Sequence, residues 1–220
     1  MKKYTVMKKF LTMTLACAMT LSLAACGSKT DTAANGNDSQ QAAGQPEETK
    51  TYKVAIIKQL DHASLDEIAN AVAAELDKIS ADNGVTITYD ITSGQNDQST
   101  LKQLSDQAIA DGVDAIIPIA TTAAQIAALS AEETQTPVVY AAVSDPEAAK
   151  LTGKEGVTGT SDALNTEFIM DMMFTQDPAI SKVGLLYSLS EPNSTKPIAD
   201  AKAYLDTKGI EYVEQTANTN

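Results

Sequence analysis

The 220-residue chain has no arginine, no tryptophan and a single histidine, and both of its cysteines fall within the first 26 positions. Without arginine there is no guanidinium fork to clamp a carboxylate through two parallel hydrogen bonds. Without tryptophan the broad aromatic face on which sugars often stack is missing, which weakens a sugar-binding reading. His62 has no second histidine or cysteine to join it, so the usual tetrahedral zinc site cannot be assembled. It either meets a ligand at the edge of a cleft or shields the start of the helix that follows. No Gly-x-Ser-x-Gly turn exposes a nucleophilic serine. No Gly-x-x-x-x-Gly-Lys loop cradles phosphate, and no Gly-x-Gly-x-x-Gly follows the first strand. Asp61 stands after that strand, where receiver domains carry acidic residues, but the third strand ends in Ala120-Thr121 with no phospho-acceptor. An enzyme reading has little to stand on, and neither metal nor cofactor is expected.

The first residues carry Lys2, Lys3, Lys8 and Lys9, then an apolar run of fourteen residues from Phe10 to Leu23, then Leu23-Ala24-Ala25-Cys26-Gly27. Charge, apolar run and small residues in that order describe a secretory signal peptide. The run is too short for a permanent span, which needs about 20 residues. Leu-Ala-Ala-Cys-Gly resembles the bacterial lipobox, which implies cleavage before Cys26 and acyl chains on that cysteine. Cys17 would leave with the leader, so the mature chain would hold no disulfide. Residues 27–50 contain no large aliphatic or aromatic side chain. Such a stretch buries too little apolar surface to offset its ordering entropy and reads as a disordered tether. Setting aside the four leader lysines leaves 12 lysines against 29 acidic residues, a net charge of −17. A surface that negative repels phosphate backbones, which excludes nucleic acid as a natural partner.

From Tyr52 onward short apolar runs alternate with amphipathic stretches. Tyr52 to Leu60 reads as a buried strand. Leu65, Ile68, Ala69, Val72, Ala73, Leu76 and Ile79 keep a helical period. Ser64 with Glu67 suggests a capping box at the start of that helix, and Asn83-Gly84 its end. The unit repeats as strand 85–92, helix 99–111, strand 113–120, a helix from Thr122 to about Glu133 with Thr122 and Gln125 as a second capping box, and strand 137–143. Alternation of this kind predicts a doubly wound parallel sheet covered on both faces, spanning residues 51–144. The pattern restarts with strand 157–161, helix 163–176, strand 182–188, helix 195–208 and strand 210–214. This second series predicts another α/β lobe over 145–220, incomplete at Asn220, with a cleft between the two.

In open α/β sheets ligands lie beyond the carboxyl ends of the strands. Those ends are Gln59 to Ser64, Thr121-Thr122, Ser144-Asp145, Thr160 to Asp162 and Ser190-Glu191-Pro192-Asn193-Ser194. All are rich in hydroxyl, amide and carboxylate groups suited to a polar small molecule, although any one of them could simply cap the next helix.

The segments 57–66 (IKQLDHASLD), 120–125 (ATTAAQ), 142–146 (AVSDP), 158–162 (TGTSD) and 190–194 (SEPNS), in that order, resemble the ABC transporter substrate-binding family that includes tryptophan and tyrosine binders. The resemblance runs from about Tyr52 to Asn220. It implies a periplasmic-binding-protein type I fold that closes over its ligand, with an aromatic amino acid as cargo. It also implies a cleft lined by Thr121 or Thr122, Ser144, Asp162, Glu191, Asn193 and Ser194, with Asp145 beside them. The family often carries proline where this chain has Thr122. An ABC permease, its ATPase subunit and a membrane reached through the lipid anchor would be the partners, and the protein would be a monomer. The same architecture could instead dock on a membrane receptor as a nutrient sensor. For an amino-acid ligand, the carboxylate would meet helix N-termini helped by Thr122 and Ser194, and the ammonium would meet Asp162 or, second, Glu191. Replacing Cys26 by alanine is expected to abolish incorporation of labelled palmitate and release the protein from the membrane fraction; unchanged labelling would contradict the lipobox assignment.

Overall fold

The computed structural model describes residues 49–217. The expected signal peptide, Cys26 and nearly all of the expected tether lie outside the described residues. Strands and helices alternate: β1 (Thr51–Lys58), α1 (Ala63–Asn83), β2 (Thr86–Ser93), α2 (Gln98–Ala110), β3 (Ala115–Ile119), α3 (Thr121–Ser130), β4 (Val138–Tyr140) and β5 (Val157–Gly159). Then follow α4 (Thr166–Gln176), β6 (Lys182–Tyr187), a short 3-10 turn (Pro192–Ser194), α5 (Thr195–Lys208) and β7 (Glu211–Thr216). The first five strands form one parallel sheet in the order β2-β1-β3-β4-β5, and β6 and β7 pair in parallel in a second.

The period of two along β1 explains the layering. Ala55 and Ile57 face Leu101 and Ala108 of α2 and Ala123 and Ala127 of α3, while Val54 and Ile56 face Ala69 and Ala73 of α1. A strand buried on both faces reads as an unbroken apolar run, which is how β1 appears in the sequence. Helix α3 turns five alanines, Ala123, Ala124, Ala127, Ala128 and, just past its end, Ala131, toward the sheet, and all are buried. Side chains that small let the helix lie close against its strands. A smaller core of Met170, Leu185, Ala201 and Leu205 holds the second sheet to α4 and α5.

Pro118 lies inside β3 between two neighbouring strands, an unusual place for a residue without a backbone donor. The ladder toward β4 is interrupted there. Ile116 N donates to Pro137 O at 2.9 Å and Ala120 N to Ala141 O at 3.0 Å, with the missing donor between them.

Several expectations change. Val157–Gly159 does not open the second sheet. It pairs with Val138–Tyr140 as the edge of the first, Thr160 N donating to Tyr140 O at 2.9 Å. Three residues of mixed polarity carry no sign of which sheet they join. Gly159 fits there because a Cβ would fall 2.0 Å from Tyr140 O. The chain therefore passes from one lobe to the other through residues 160–165. Neither expected capping box forms. His62 caps α1 through Nδ1, which accepts from Ser64 N at 3.3 Å, and α3 starts at Thr121, where the cap residue Ala120 supplies no side-chain bond. Helix α3 also ends at Ser130, short of Glu133. Helix α4 starts at Thr166, three residues later than expected, because Asn165 Oδ1 accepts from Phe168 N at 3.0 Å.

Among the described residues no helix is long and apolar enough to cross a membrane. Ile56→Ala deletes a fully buried side chain from β1 and is expected to lower unfolding stability by about 2–5 kcal/mol. Leu186→Ser, at a position 72% exposed, is expected to change it by less than about 0.5 kcal/mol. Urea denaturation reads both, and equal losses would contradict the burial of Ile56.

Candidate functional site

Parallel pairing brings the carboxyl ends of β1, β2 and β3 to one edge, and the residue that joins them is Gln59, only 4% exposed. Its backbone N–H donates to Ile119 O at 3.1 Å and its carbonyl accepts from Asn96 N at 2.9 Å, which ties β1 to both neighbours. Its side chain does more. Oε1 accepts from Thr122 N at 3.1 Å, supplying from another strand the cap that Ala120 cannot provide at the start of α3. That bond fixes the amide orientation, so Nε2 points the other way, donating to Asn96 Oδ1 at 2.9 Å and to Glu191 Oε2 at 3.3 Å. Asn96 is oriented in turn: its Oδ1 faces Gln59 and its Nδ2 donates to Glu191 Oε1 at 3.4 Å.

Backbone geometry around this cluster is unusual. Ala120 has φ 79° and ψ 164°, a conformation that costs a non-glycine residue on the order of 1–3 kcal/mol and is typical of ligand sites. Gln95 and Asn96 are both left-handed, with φ 52° and 57°. Gly94 precedes them because a Cβ there would lie 2.3 Å from Leu101 Cδ2 and 3.1 Å from Gln59 O. The β2–α2 loop is thereby pressed against Gln59 and delivers Asn96 beside it. Asp97 then caps α2, accepting from Thr100 N at 2.7 Å.

A second cluster forms where the chain leaves the first sheet. Ser144 Oγ donates to Asp162 Oδ1 at 2.9 Å, and Ser161 Oγ donates to Ser144 O at 3.3 Å. Asp162 is exposed, so its carboxylate is oriented by one serine and still faces solvent. Asp145 is spent locally, accepting from Ala148 N at 2.9 Å. Ser194 Oγ donates to Ser188 O at 3.2 Å, closing the 3-10 turn. Asn193 is exposed on that turn and Thr121 is buried. The structure thus joins Ser144 with Asp162 and Glu191 with Thr122 through Gln59, while Asp145 and Ser194 hold their own loops.

Gln59 stands in the sequence only as the first residue of a strand-end segment, with no role of its own, and Asn96 is not among the expected site residues. Gln59 had a signal, a polar residue directly after an unbroken buried strand. For Asn96 the signal was the run Gly94-Gln95-Asn96-Asp97 after β2, a strand end that had not been counted. His62 spends its Nδ1 on the first turn of α1.

Below the cluster Lys58 pairs with Asp61 at 2.9 Å and with Asp66. Asp61 also accepts from Gln95 Nε2 at 2.5 Å. Together the two acids raise the Lys58 pKa. Hydrogen bonds from Gln95, then Lys58, then Ser93 hold Asp61 down at about 2. Two open hollows of the surface lie away from this edge, along α2 beside Gln98, Lys102 and Asp106 and between α4 and α5 beside Asn165, Asp200 and Tyr204.

Two α/β units whose strand ends converge on a polar edge define a periplasmic-binding-protein type I fold, and solved structures agree. An ABC domain in complex with L-Trp from Streptococcus pneumonia superposes with a TM-score of 0.69 at 29% identity, over 77% of this chain and 58% of that one. A conserved domain protein from Vibrio cholerae gives a TM-score of 0.69 at 28% identity, over 76% of this chain and 58% of that one. The family model described as ABC transporter substrate binding protein matches residues 53–220, and the chain belongs to that family. The Tyrosine-binding protein of Clostridioides difficile is 28% identical over 197 residues, 86% of this chain and 56% of that protein. The chain spans less than three fifths of the length of these relatives.

A carboxyl group whose folded pKa lies below its unfolded one adds stability above the unfolded value and loses it as pH falls through the folded value. For Asp61 that window runs from 3.8 down to about 2. Carbon-13 NMR is expected to place its midpoint at about 2, rising in Gln95→Ala. A midpoint at the ordinary 3.8 in the parent protein would contradict the network.

Proposed function

We propose that this chain captures a small polar solute, an aromatic amino acid, outside the cell membrane and delivers it to the permease of an ABC importer without chemical change. On this reading Cys26 carries the lipid anchor, the net charge of the mature chain keeps the domain off anionic headgroups, and the partner ATPase supplies the energy. The observation that carries the ligand class is the exposed Asp162 carboxylate, already oriented by Ser144 at 2.9 Å. An ammonium needs such an acceptor, and a serine that holds one carboxylate oxygen leaves the group poised for a cation. The carboxylate end of the ligand meets the first turn of α3, where the helix dipole favours an anion. Since Gln59 already takes the Thr122 amide, the Thr122 hydroxyl is the group of that residue offered to the ligand. Ser194 contributes less than the sequence implied, because its hydroxyl is committed to Ser188 O. The two relatives named for tyrosine and L-Trp favour an aromatic side chain. Closure follows from a ligand that touches both lobes and so binds the closed state better than the open one.

Calorimetric titration with L-tryptophan, L-tyrosine, L-phenylalanine, leucine and a few sugars tests this. One-to-one binding of an aromatic amino acid, weakened by tenfold or more in Asp162→Ala, is the expected result, tenfold being about 1.4 kcal/mol. Binding that survives the substitution would remove Asp162 from the site, and indifference to every amino acid would overturn the ligand class.

A further inference from the structure

We infer that Gln59 and Asn96 are positioning residues for solute capture, a donor pair that holds the two lobes together by reading the Glu191 carboxylate rather than by touching the ligand. The inference rests on the reading of the chain as a two-lobed binding protein, but not on the identity of its ligand. Three observations carry it. The orientation of both amides is dictated, since the Thr122 N–H takes Gln59 Oε1 and Gln59 Nε2 takes Asn96 Oδ1. What remains facing the second lobe is donor only. Glu191, from the loop after β6, supplies one carboxylate oxygen to each donor, at 3.3 Å from Gln59 and 3.4 Å from Asn96. The two amides come from β1 and from the β2–α2 loop, so one carboxylate grips the first lobe at two elements.

This assignment moves Glu191 out of the ammonium-binding role. Its two oxygens meet uncharged N–H donors, which suits a carboxylate that joins lobes. Ligand affinity then depends on Glu191 indirectly, because a binding-competent state that is less populated lowers apparent affinity by the same fraction. Gln59 has two separable tasks. Its Oε1 caps α3 and is needed for folding; its Nε2 sets the polarity that Glu191 recognises.

Exchanging polarity separates the two tasks. Gln59→Glu keeps an oxygen for the Thr122 N–H but turns a carboxylate toward Glu191, and repulsion opens the lobes. Glu191→Gln in the same chain restores one of the two bonds: its amide donates to the new carboxylate at position 59, to which the turned-over Asn96 amide also donates, while Asn96 Oδ1 is left facing the oxygen of the new amide. Should a carboxylate at position 59 prevent folding, Asn96→Gly removes the exposed donor while glycine accepts the left-handed backbone at that position.

The test uses the full chain with Cys17→Ser and Cys26→Ser, spin labels on Gln103→Cys and Asp206→Cys, and pulsed dipolar distance measurement without ligand. Expected are a closed distance in the parent, a roughly fivefold fall in the closed-to-open ratio in Asn96→Gly, the weight of about one net hydrogen bond, and a roughly 25-fold fall in Glu191→Ala, which loses two. Adding Asn96→Gly to Glu191→Ala should give no further fall, and Gln59→Glu should be partly rescued by Glu191→Gln. Identical ligand-free distances in the parent and Glu191→Ala would overturn the assignment, as would additive losses. Failure of every amino acid to bind in calorimetry would leave these distances unchanged, so the two readings fail separately.

Discussion

Helix α3 is preceded at its cap position by Ala120, a residue with no side-chain oxygen, and its first amides would stand open without help from elsewhere in the chain. Gln59 gives that help from the end of β1, and the rest of the polar edge follows from this one bond. Because Thr122 N claims Oε1, the amide of Gln59 is not free to turn. Because it is not free to turn, Asn96 is oriented, and because Asn96 is oriented, both present hydrogen to the opposite lobe. A buried amide left half-satisfied is costly, while a fully connected one makes its surroundings rigid. The polar edge of the first lobe is therefore a single hydrogen-bonded object with a fixed polarity.

This object stands on a scaffold whose logic is apolar. Strand β1 has helices on both faces and neighbours on both edges, so its end is held from every side. The strained backbone at Ala120 and the left-handed pair Gln95-Asn96 persist because packing around them leaves no alternative. Gly94 admits the loop only by lacking a side chain, and Leu101 fills the space so released. Order of this kind suits a surface that must be correct before any ligand arrives.

The parts legible in the sequence are those governed by local periodicity. Continuous apolar strands, helices with one greasy stripe and polar loops between them were visible from Tyr52 onward, and so was the convergence of strand ends on one edge. The parts that were not legible depend on partners distant in sequence. The side-chain cap of α3 comes from 63 residues away, beyond any local capping rule. Val157–Gly159 is three residues long, too short for a period to show its sheet. His62 capping α1 through its ring nitrogen looks no different, in sequence, from a histidine poised over a ligand. Asp145 and Asp162 are likewise alike on paper; one is consumed by its own turn and the other held outward by Ser144.

The alanine face of α3 has a consequence for how this protein can vary. A helix seated against its sheet by methyl groups has almost no slack, and any larger side chain there would lift the whole cylinder. Lifting it by even a fraction of an ångström would draw the Thr122 amide away from Gln59 and release the orientation that the amide chain transmits. The five alanines offer a solute no polar group, yet they act as the gauge that sets the first turn of α3 at its working height. Drift at those positions would detune the grip between the lobes while leaving every residue of the polar edge unchanged.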